Sequence, residues 1–237
     1  MKRDSKQCRN RYLFGSPKIA KMIIDHTHPR YKIRWRNSEE NRFNGAYYYS
    51  KEIVRNIIPR VETDRNWITL NIPGEGVEHS IVFIHNNLNP DKYTWLKQYG
   101  FKDLILVCGI PETCEKVAHL GTPIYLPLSI DTEYVMAFRR DQIKDAAYAG
   151  RLNKRSYGTL PSGIDYLHSM KREDLLRRMA QYRRIYAVGR TAIEAACLGC
   201  KIEPYDKRFP DPSIWKVIDN RTAAAMLQTK LDEIDRR

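Results

Sequence analysis

The chain has 237 residues, enough for one large domain or two small ones, and its 42% hydrophobic and 29% charged residues are typical of a globular protein. Its 41 Lys and Arg against 28 Asp and Glu give a net charge of +13, which favours a polyanionic partner such as nucleic acid, nucleotide phosphates or an anionic surface. No apolar run is long enough to span a bilayer, and the charged N-terminus lacks the apolar core of a signal peptide. The five cysteines are scattered, which argues against a disulfide framework. We therefore expect a cytoplasmic protein.

The first elements predict a βαβ unit. A strand over residues 11–14 is followed by a turn at Gly15 and Ser16, and the proline after them suits the first turn of a helix that reaches Ile24. A second strand is predicted over residues 31–36.

Charged and apolar side chains alternate along that second strand, so its cations share one face. They are Arg30, Lys32, Arg34 and Arg36. Two interpretations stay open: an edge strand that its charge protects from pairing, or a cationic face that binds a polyanion.

Three consecutive tyrosines, residues 47–49, precede a helix predicted from Ser50 and ended by Pro59. Tyr47 and Tyr48 are candidates for stacking on nucleic-acid bases. The alternative is that they pack at the edge of the core.

Two further strands are predicted over residues 67–72 and 81–84, and His85 follows the second one directly. Because ligands collect at the carboxyl ends of strands in open α/β sheets, His85 is a candidate general base. It could equally be a loop histidine that hydrogen-bonds to the backbone. Asp25 and Asp91, carboxylates near predicted turns, are the fallback bases.

The rest of the chain alternates helices and strands, which predicts parallel sheets. Helices are predicted over residues 91–99, 111–120, 172–181, 191–198 and 222–234, with a short helix within 159–168 and another ending near 215. Strands are predicted over residues 103–107, 122–128, 146–151, 185–188 and 202–205.

One βαβ unit, residues 184–205, organises the second half. Gly189 forms a tight turn between its first strand and a helix that is apolar on nearly all sides and ends at Gly199. That helix carries one carboxylate, Glu194, which is costly to bury unless it is paired or used. Glu194 therefore either contacts a ligand or pairs with a nearby arginine.

Several common motifs are absent from the sequence. It has no GxxxxGK[ST] and no GxGxxG, which disfavours P-loop and standard NAD-binding proteins, and no Asp-x-Asp metal signature. Cys197 and Cys200 form a CxxC, but it closes a helix and has no second CxxC, so redox or zinc use is disfavoured.

The second half resembles the nucleotide-sugar half of GT-B glycosyltransferases, which have two facing Rossmann-like domains. The resemblance is carried by Gly189-Arg190 with residues 194–199 (EAACLG), by Gly150-Arg151, by the crossover at residues 127–131, and in outline by the turn at Gly15. The family often has a second Glu eight residues before the first, where this chain has Tyr186, and a glycine where it has Ser129.

The resemblance implies a compact α/β fold with a cleft between an acceptor-side domain, residues 1–128, and a donor-side domain, residues 129–237. It implies that Glu194 holds the ribose of a UDP- or GDP-sugar and that cations hold its diphosphate, without a metal ion or permanent cofactor. The implied donor-site residues are Gly150, Arg151, Lys154, Arg155, Gly189, Arg190, Thr191 and Glu194, with Arg151 also catalytic beside His85. Gly150-Arg151 could instead belong to a basic surface loop, and the choice between Lys154 and Arg155 is open.

Glycosyltransferases that modify hydroxymethylated bases in viral DNA share this general architecture. By that analogy and by charge, we expect DNA as the acceptor, and the host cytoplasm as location if the protein is viral. The implied acceptor-side residues are Gly15, Ser16, Arg30, Lys32, Arg34, Arg36, Tyr47 and Tyr48. The alternative is a non-catalytic nucleic-acid-binding module on an α/β scaffold.

Overall fold

The computed structural model describes residues 23–27, 30–36, 45–69, 79–84 and 103–236. For residues 23–27, 34–36, 45–46 and 152–154 the backbone alone is described. The predicted strand over residues 11–14 and the predicted helix over residues 91–99 lie outside these ranges.

Within the described residues, the first sheet has six strands in the order β1-β2-β3-β4-β5-β6. They are β1 (Ile23–Thr27), β2 (Lys32–Arg36), β3 (Asn66–Thr69), β4 (Ser80–Ile84), β5 (Leu104–Cys108) and β6 (Thr122–Tyr125). β1 pairs antiparallel with β2, and the other neighbours are parallel. β4 and β5 are buried along their whole length, as central strands of a parallel sheet are when both faces are covered.

The second sheet has four parallel strands in the order β10-β9-β7-β8. They are β7 (Lys144–Ala149), β8 (Asp165–Leu167), β9 (Tyr182–Tyr186) and β10 (Lys201–Glu203). The order changes direction at β7 and β9, because β8 lies outside β7 and β10 lies outside β9. Loops at the carboxyl ends of these two strands therefore diverge, which is where open α/β sheets form ligand sites.

Six α-helices connect or flank the strands within the described residues. They are α1 (Gly45–Glu52), α2 (Pro111–Val117), α3 (Thr132–Met136), α4 (Arg172–Met179), α5 (Arg190–Cys197) and α6 (Asn220–Asp235). α1 continues through a π-helical turn (Ile53–Ile57) into a 3₁₀ turn (Ile58–Arg60) that contains the predicted stop, Pro59. Side chains cap two helices: Asp131 accepts a hydrogen bond from the Tyr134 amide, and Asp219 accepts from the amides of Arg221 and Thr222.

One apolar cluster runs through both halves of the chain. It includes Trp67 and Phe83 from the first sheet, Ile185 from the second, and Leu227 and Leu231 from α6. α6 packs against the helical segment that follows α1, and Arg65 forms an ion pair with Asp235. The last helix thus stabilises the first half of the chain, although the sequence places it in the second domain.

The structure corrects the start of one predicted helix: α1 begins at Gly45, so the three tyrosines lie inside the helix that the sequence predicts from Ser50. Two further predicted elements are corrected in type. Ile23 and Ile24 belong to strand β1, whereas the sequence predicts that the first helix includes them. Residues 165–167 form β8 inside the segment where a short helix is predicted. In both places the local sequence is compatible with a helix or a strand, and pairing with a neighbouring strand selects the strand. The α/β class with parallel sheets is confirmed.

Candidate functional site

The predicted donor residues flank the carboxyl ends of β7 and β9. These strands are parallel neighbours, with Tyr148 opposite Tyr186 in register. Gly150-Arg151 follows β7 and Gly189 follows β9, so the fold brings both segments to one edge of the sheet. They are far apart in the sequence and lie at the same edge because the strands that precede them, β7 and β9, pair with each other.

Gly189 occupies a backbone conformation that favours glycine. Its φ is 65° and its ψ is −141°, which a residue with a Cβ adopts only under strain. The Gly189 carbonyl accepts hydrogen bonds from the amides of Ala192 (3.0 Å) and Ile193 (3.2 Å). The glycine thus turns the chain from β9 directly into the first turn of α5.

Gly150 allows a close approach by a buried tyrosine. The Tyr148 hydroxyl donates to the Arg151 carbonyl at 2.7 Å, and a Cβ on Gly150 would lie 2.7 Å from that hydroxyl oxygen. Arg151 itself is exposed, as is Arg155, and the side chain of Lys154 lies outside what the structure describes. The Tyr148 hydroxyl therefore holds the backbone that carries the exposed guanidinium of Arg151.

The loop after β7 is also fixed at its far end. Gly158 forms an antiparallel bridge with Asp206, and a Cβ on Gly158 would lie 1.3 Å from the Tyr205 carbonyl oxygen. The Arg208 guanidinium lies over the Tyr157 ring at 3.6 Å and pairs with the buried Asp206 carboxylate. Residues 151–158 are thus held at both ends, as a loop must be if it is to place cations accurately.

Glu194 is buried and paired with arginines. Its Oε1 accepts from Arg190 Nε at 2.8 Å and from Arg172 Nε at 3.0 Å, and the side chains of Glu194 and Arg190 are 4% and 3% exposed. Of the two interpretations of this carboxylate, pairing with a nearby arginine is observed. The ribose contact stays a prediction, and none of the described residues donates a hydrogen bond to Oε2.

Glu52, which no sequence motif singles out, joins the same cluster from the first half of the chain. Its carboxylate accepts hydrogen bonds from Arg190 Nη2, from Asn220 Nδ2 at 3.1 Å and from the Asp131 amide at 3.1 Å. Arg172 Nη1 lies 3.1 Å from Glu52 Oε1. Glu52 therefore links the end of α1 to four separate segments of the second half.

Charge in this cluster is balanced, and the balance sets the protonation states. Burial raises the pKa of Glu52, but the charges of Arg190 and Arg172 and the hydrogen bonds from Arg190 and Asn220 outweigh burial, so the pKa lies below its usual value. Burial lowers the pKa of Arg190, whereas Glu194 and Glu52 raise it, and the net effect is a raised pKa. These groups stay ionised at neutral pH.

A pocket of about 690 Å³ opens beside the cluster. One wall comes from α1 and the π-helical turn, and the other comes from α3 and the start of α4. The lining side chains include Tyr48, Lys51, Glu52, Arg55, Asn56, Asp131, Tyr134, Lys171, Arg172, Glu173 and Asp174. The Arg172 guanidinium lies 5.2 Å from the Tyr48 ring and 5.1 Å from the Tyr134 ring, which fixes it by cation–π contact.

The predicted acceptor-side residues are only partly described. β2 lies between β1 and β3, so the interpretation of β2 as an edge strand is wrong. Lys32 is exposed and its amide donates to Asn66 Oδ1 at 2.9 Å, while the Arg34 and Arg36 side chains are not described. Arg30 is exposed.

The tyrosines take different positions. Tyr47 and Tyr48 are half-buried and in edge-to-face contact, whereas Tyr49 is buried against Phe83. Gly15, Ser16, His85 and Asp91 lie outside the described residues, and of Asp25 only the backbone is described. The structure thus leaves the predicted general base a prediction.

Comparison with known proteins gives no relative: no protein-family model, no curated protein and no solved structure matches the chain. Among the described residues, no helix is long and apolar enough to cross a membrane. In that same part of the chain, no group of three or more His, Cys, Asp or Glu side chains could hold a metal ion.

Proposed function

We propose that the protein is a glycosyltransferase that moves a sugar from a UDP- or GDP-sugar to an acceptor without a metal ion. The observation that carries the proposal is that Gly150-Arg151 and Gly189 both follow the carboxyl ends of two adjacent parallel strands. The resemblance to GT-B enzymes depends on these two segments, and a shared site requires them to be neighbours. We further propose that the two sheets belong to two facing Rossmann-like domains with the donor between them.

Each segment has a part in donor binding under this proposal. Arg151, with Lys154 or Arg155, neutralises the diphosphate, and the amides that open α5 after Gly189 add donors and the positive end of a helix dipole. Charge grows on the leaving diphosphate as the glycosidic bond breaks, so Arg151 contributes most in the transition state. Arg190 and Thr191 stand in the first turn of the same helix.

Glu194 can serve the ribose only through its second oxygen. Both arginine hydrogen bonds go to Oε1, so we assign Oε2 to the ribose hydroxyls. A side chain that is 4% exposed must become slightly more accessible when a donor binds. A charged hydrogen bond of this kind contributes about 1.5–3 kcal/mol.

For the acceptor we propose DNA carrying a modified base, with His85 as general base. The net charge of +13 supports a polyanionic acceptor. The half-buried pair Tyr47 and Tyr48 lies beside the pocket and offers a surface for stacking.

The test is a donor screen with two matched variants. UDP, GDP and their glucose and N-acetylglucosamine conjugates are titrated by calorimetry, and transfer or hydrolysis is followed by nucleotide release. Arg151→Ala should reduce turnover more than donor affinity, whereas Arg140→Ala, which removes an exposed charge elsewhere, should change neither. Binding of none of these nucleotides would overturn the proposal, and duplex binding without nucleotide binding would favour the non-catalytic module.

A further inference from the structure

The pocket between α1 and α4 is lined by three cations that form no ion pair with any described residue. Lys51, Arg55 and Lys171 line it and have no carboxylate partner among the described residues. Arg55 and Lys171 are exposed and Lys51 is half-buried. Long cationic side chains that face one pocket without a partner repel each other unless an anion binds between them.

The acids of the same pocket have structural roles. Glu52 forms ion pairs with Arg190 and Arg172, and Asp131 caps α3. Glu173 accepts from the Tyr134 hydroxyl and, with Asp174, stands in the first turn of α4, where the helix dipole favours negative charge. Neutral donors and a helix dipole leave Asp131, Glu173 and Asp174 charged, so the pocket wall formed by α3 and α4 has mixed charge. The positive charge that forms no ion pair with a described residue is concentrated on the wall formed by α1, at Lys51 and Arg55.

Crowding of the cations is also visible at Lys51. Burial lowers the pKa of Lys51 and the nearby charges of Arg55 and Arg172 lower it further, and together they outweigh Glu52, which raises it. An anion bound between these groups would reverse that effect. The Lys51 ammonium also lies 6.0 Å from the centre of the Tyr47 ring, which precedes it by one turn in α1.

The pocket adjoins the candidate donor site but is built from a different part of the chain. Arg172 links the two, because it lines the pocket and contacts both Glu52 and Glu194. Lys51 and Arg55 belong to the first half of the chain, whereas the cations assigned to the donor diphosphate follow β7 in the second half. A donor diphosphate held at Arg151 leaves the pocket for another phosphate.

We propose that this pocket binds a phosphate group of a polyanionic acceptor, a nucleic-acid strand, through Lys51, Arg55 and Lys171. The proposal depends on the proposed function, because it assigns the acceptor side of the same site. Lysine and arginine suit this task, since phosphate takes charge-assisted hydrogen bonds from both. Arg172 contacts two tyrosine rings and two carboxylates, so it belongs to the pocket wall and is not counted among the phosphate ligands.

The experiment compares two double variants that remove equal charge. Lys51→Ala/Arg55→Ala changes the pocket, and Lys216→Ala/Arg221→Ala removes two exposed cations at and before the start of α6. A labelled 20-nucleotide single strand and its duplex are titrated by fluorescence anisotropy at several salt concentrations, and UDP, GDP and inorganic pyrophosphate by calorimetry. Circular dichroism and thermal melting check that each variant is folded.

The pocket variant should bind the oligonucleotide at least about tenfold more weakly and flatten the salt dependence by up to about two phosphate units, while the control variant changes little. The affinity of the pocket variant for UDP, GDP and pyrophosphate should stay the same as that of the unaltered protein. Equal losses in both double variants, or no oligonucleotide binding by the unaltered protein, would overturn the acceptor site. Loss of nucleotide or pyrophosphate affinity in the pocket variant alone would assign the pocket to the donor instead. If no nucleotide binds the unaltered protein, the glycosyltransferase proposal fails, whatever the oligonucleotide does.

Discussion

Glu52→Gln should destabilise the protein far more than an ordinary surface substitution. The change keeps the size of the side chain and removes one negative charge from a cluster in which Arg190 is 3% exposed and Arg172 is 13% exposed. Both guanidiniums would then share Glu194 Oε1, and a buried positive charge would remain uncompensated. Breaking a buried ion pair from one side costs about 3–5 kcal/mol, and we expect a loss in this range.

The assay is urea denaturation at pH 7, followed by circular dichroism and compared with Glu62→Gln. Glu62 is exposed, and its described hydrogen bonds involve its backbone only, so its substitution should cost less than about 0.5 kcal/mol. The glutamine at position 52 can still accept from the Asp131 amide, so the difference reports mainly the charge. Equal losses in the two variants would refute the reasoning that the cluster is buried and ion-paired.

The pH dependence of the same variant has a definite sign. The pKa of Glu52 is lower in the folded protein than its usual value, so its ionised form stabilises the fold above the ordinary glutamate range of about pH 4. That stabilisation is lost as the pH falls from this range through the folded-state pKa. The gap in unfolding free energy between the unaltered protein and Glu52→Gln should therefore be constant near neutrality and shrink below about pH 4. A gap that widens in acid would contradict the lowered pKa.

Three further predictions concern the loops that carry the candidate donor residues, each measured by urea denaturation and nucleotide titration. Tyr148→Phe removes the hydrogen bond to the Arg151 carbonyl and should cost about 1 kcal/mol and weaken donor binding, whereas Tyr166→Phe, at an exposed ring, should do neither. Gly158→Ala should cost about 1–3 kcal/mol because its Cβ overlaps a facing carbonyl oxygen, and an unchanged stability would show that the two loops are not in contact. Gly189→Ala should cost about 1–3 kcal/mol because of its positive φ, and full stability would show that the turn relaxes freely.

Local pattern was sufficient for most of the second half of the fold. The helix of α5 and the turn at Gly189 follow from an apolar segment between two glycines, and strands β5 and β7 lie within two residues of their predicted bounds. The same pattern could not distinguish helix from strand at Ile23 and Ile24, where pairing with β2 decides. β8 is three residues long, too short for any periodicity to show.

The candidate site was predicted where its chemistry is local and missed where it is not. Arg190 and Glu194 are four positions apart on one helix face, so the sequence itself suggests that they pair. Glu52 lies 138 positions before Arg190, and nothing in its own helix distinguishes it from a solvated glutamate. Only the close contact of the end of α1 with α4 and α5 reveals that Glu52 shares Arg172 and Arg190 with Glu194.

That contact also joins the two sites that we propose through one buried cluster. Arg172 cannot leave Glu194 without also changing its distance to Glu52, because one guanidinium faces both carboxylates. If a donor ribose draws Glu194 Oε2 toward itself, the position of the Arg172 guanidinium changes with it. Arg172 lines the pocket where we place the acceptor phosphate. Under the two proposals, donor and acceptor binding are therefore coupled through a single side chain, with the same coupling free energy in both directions.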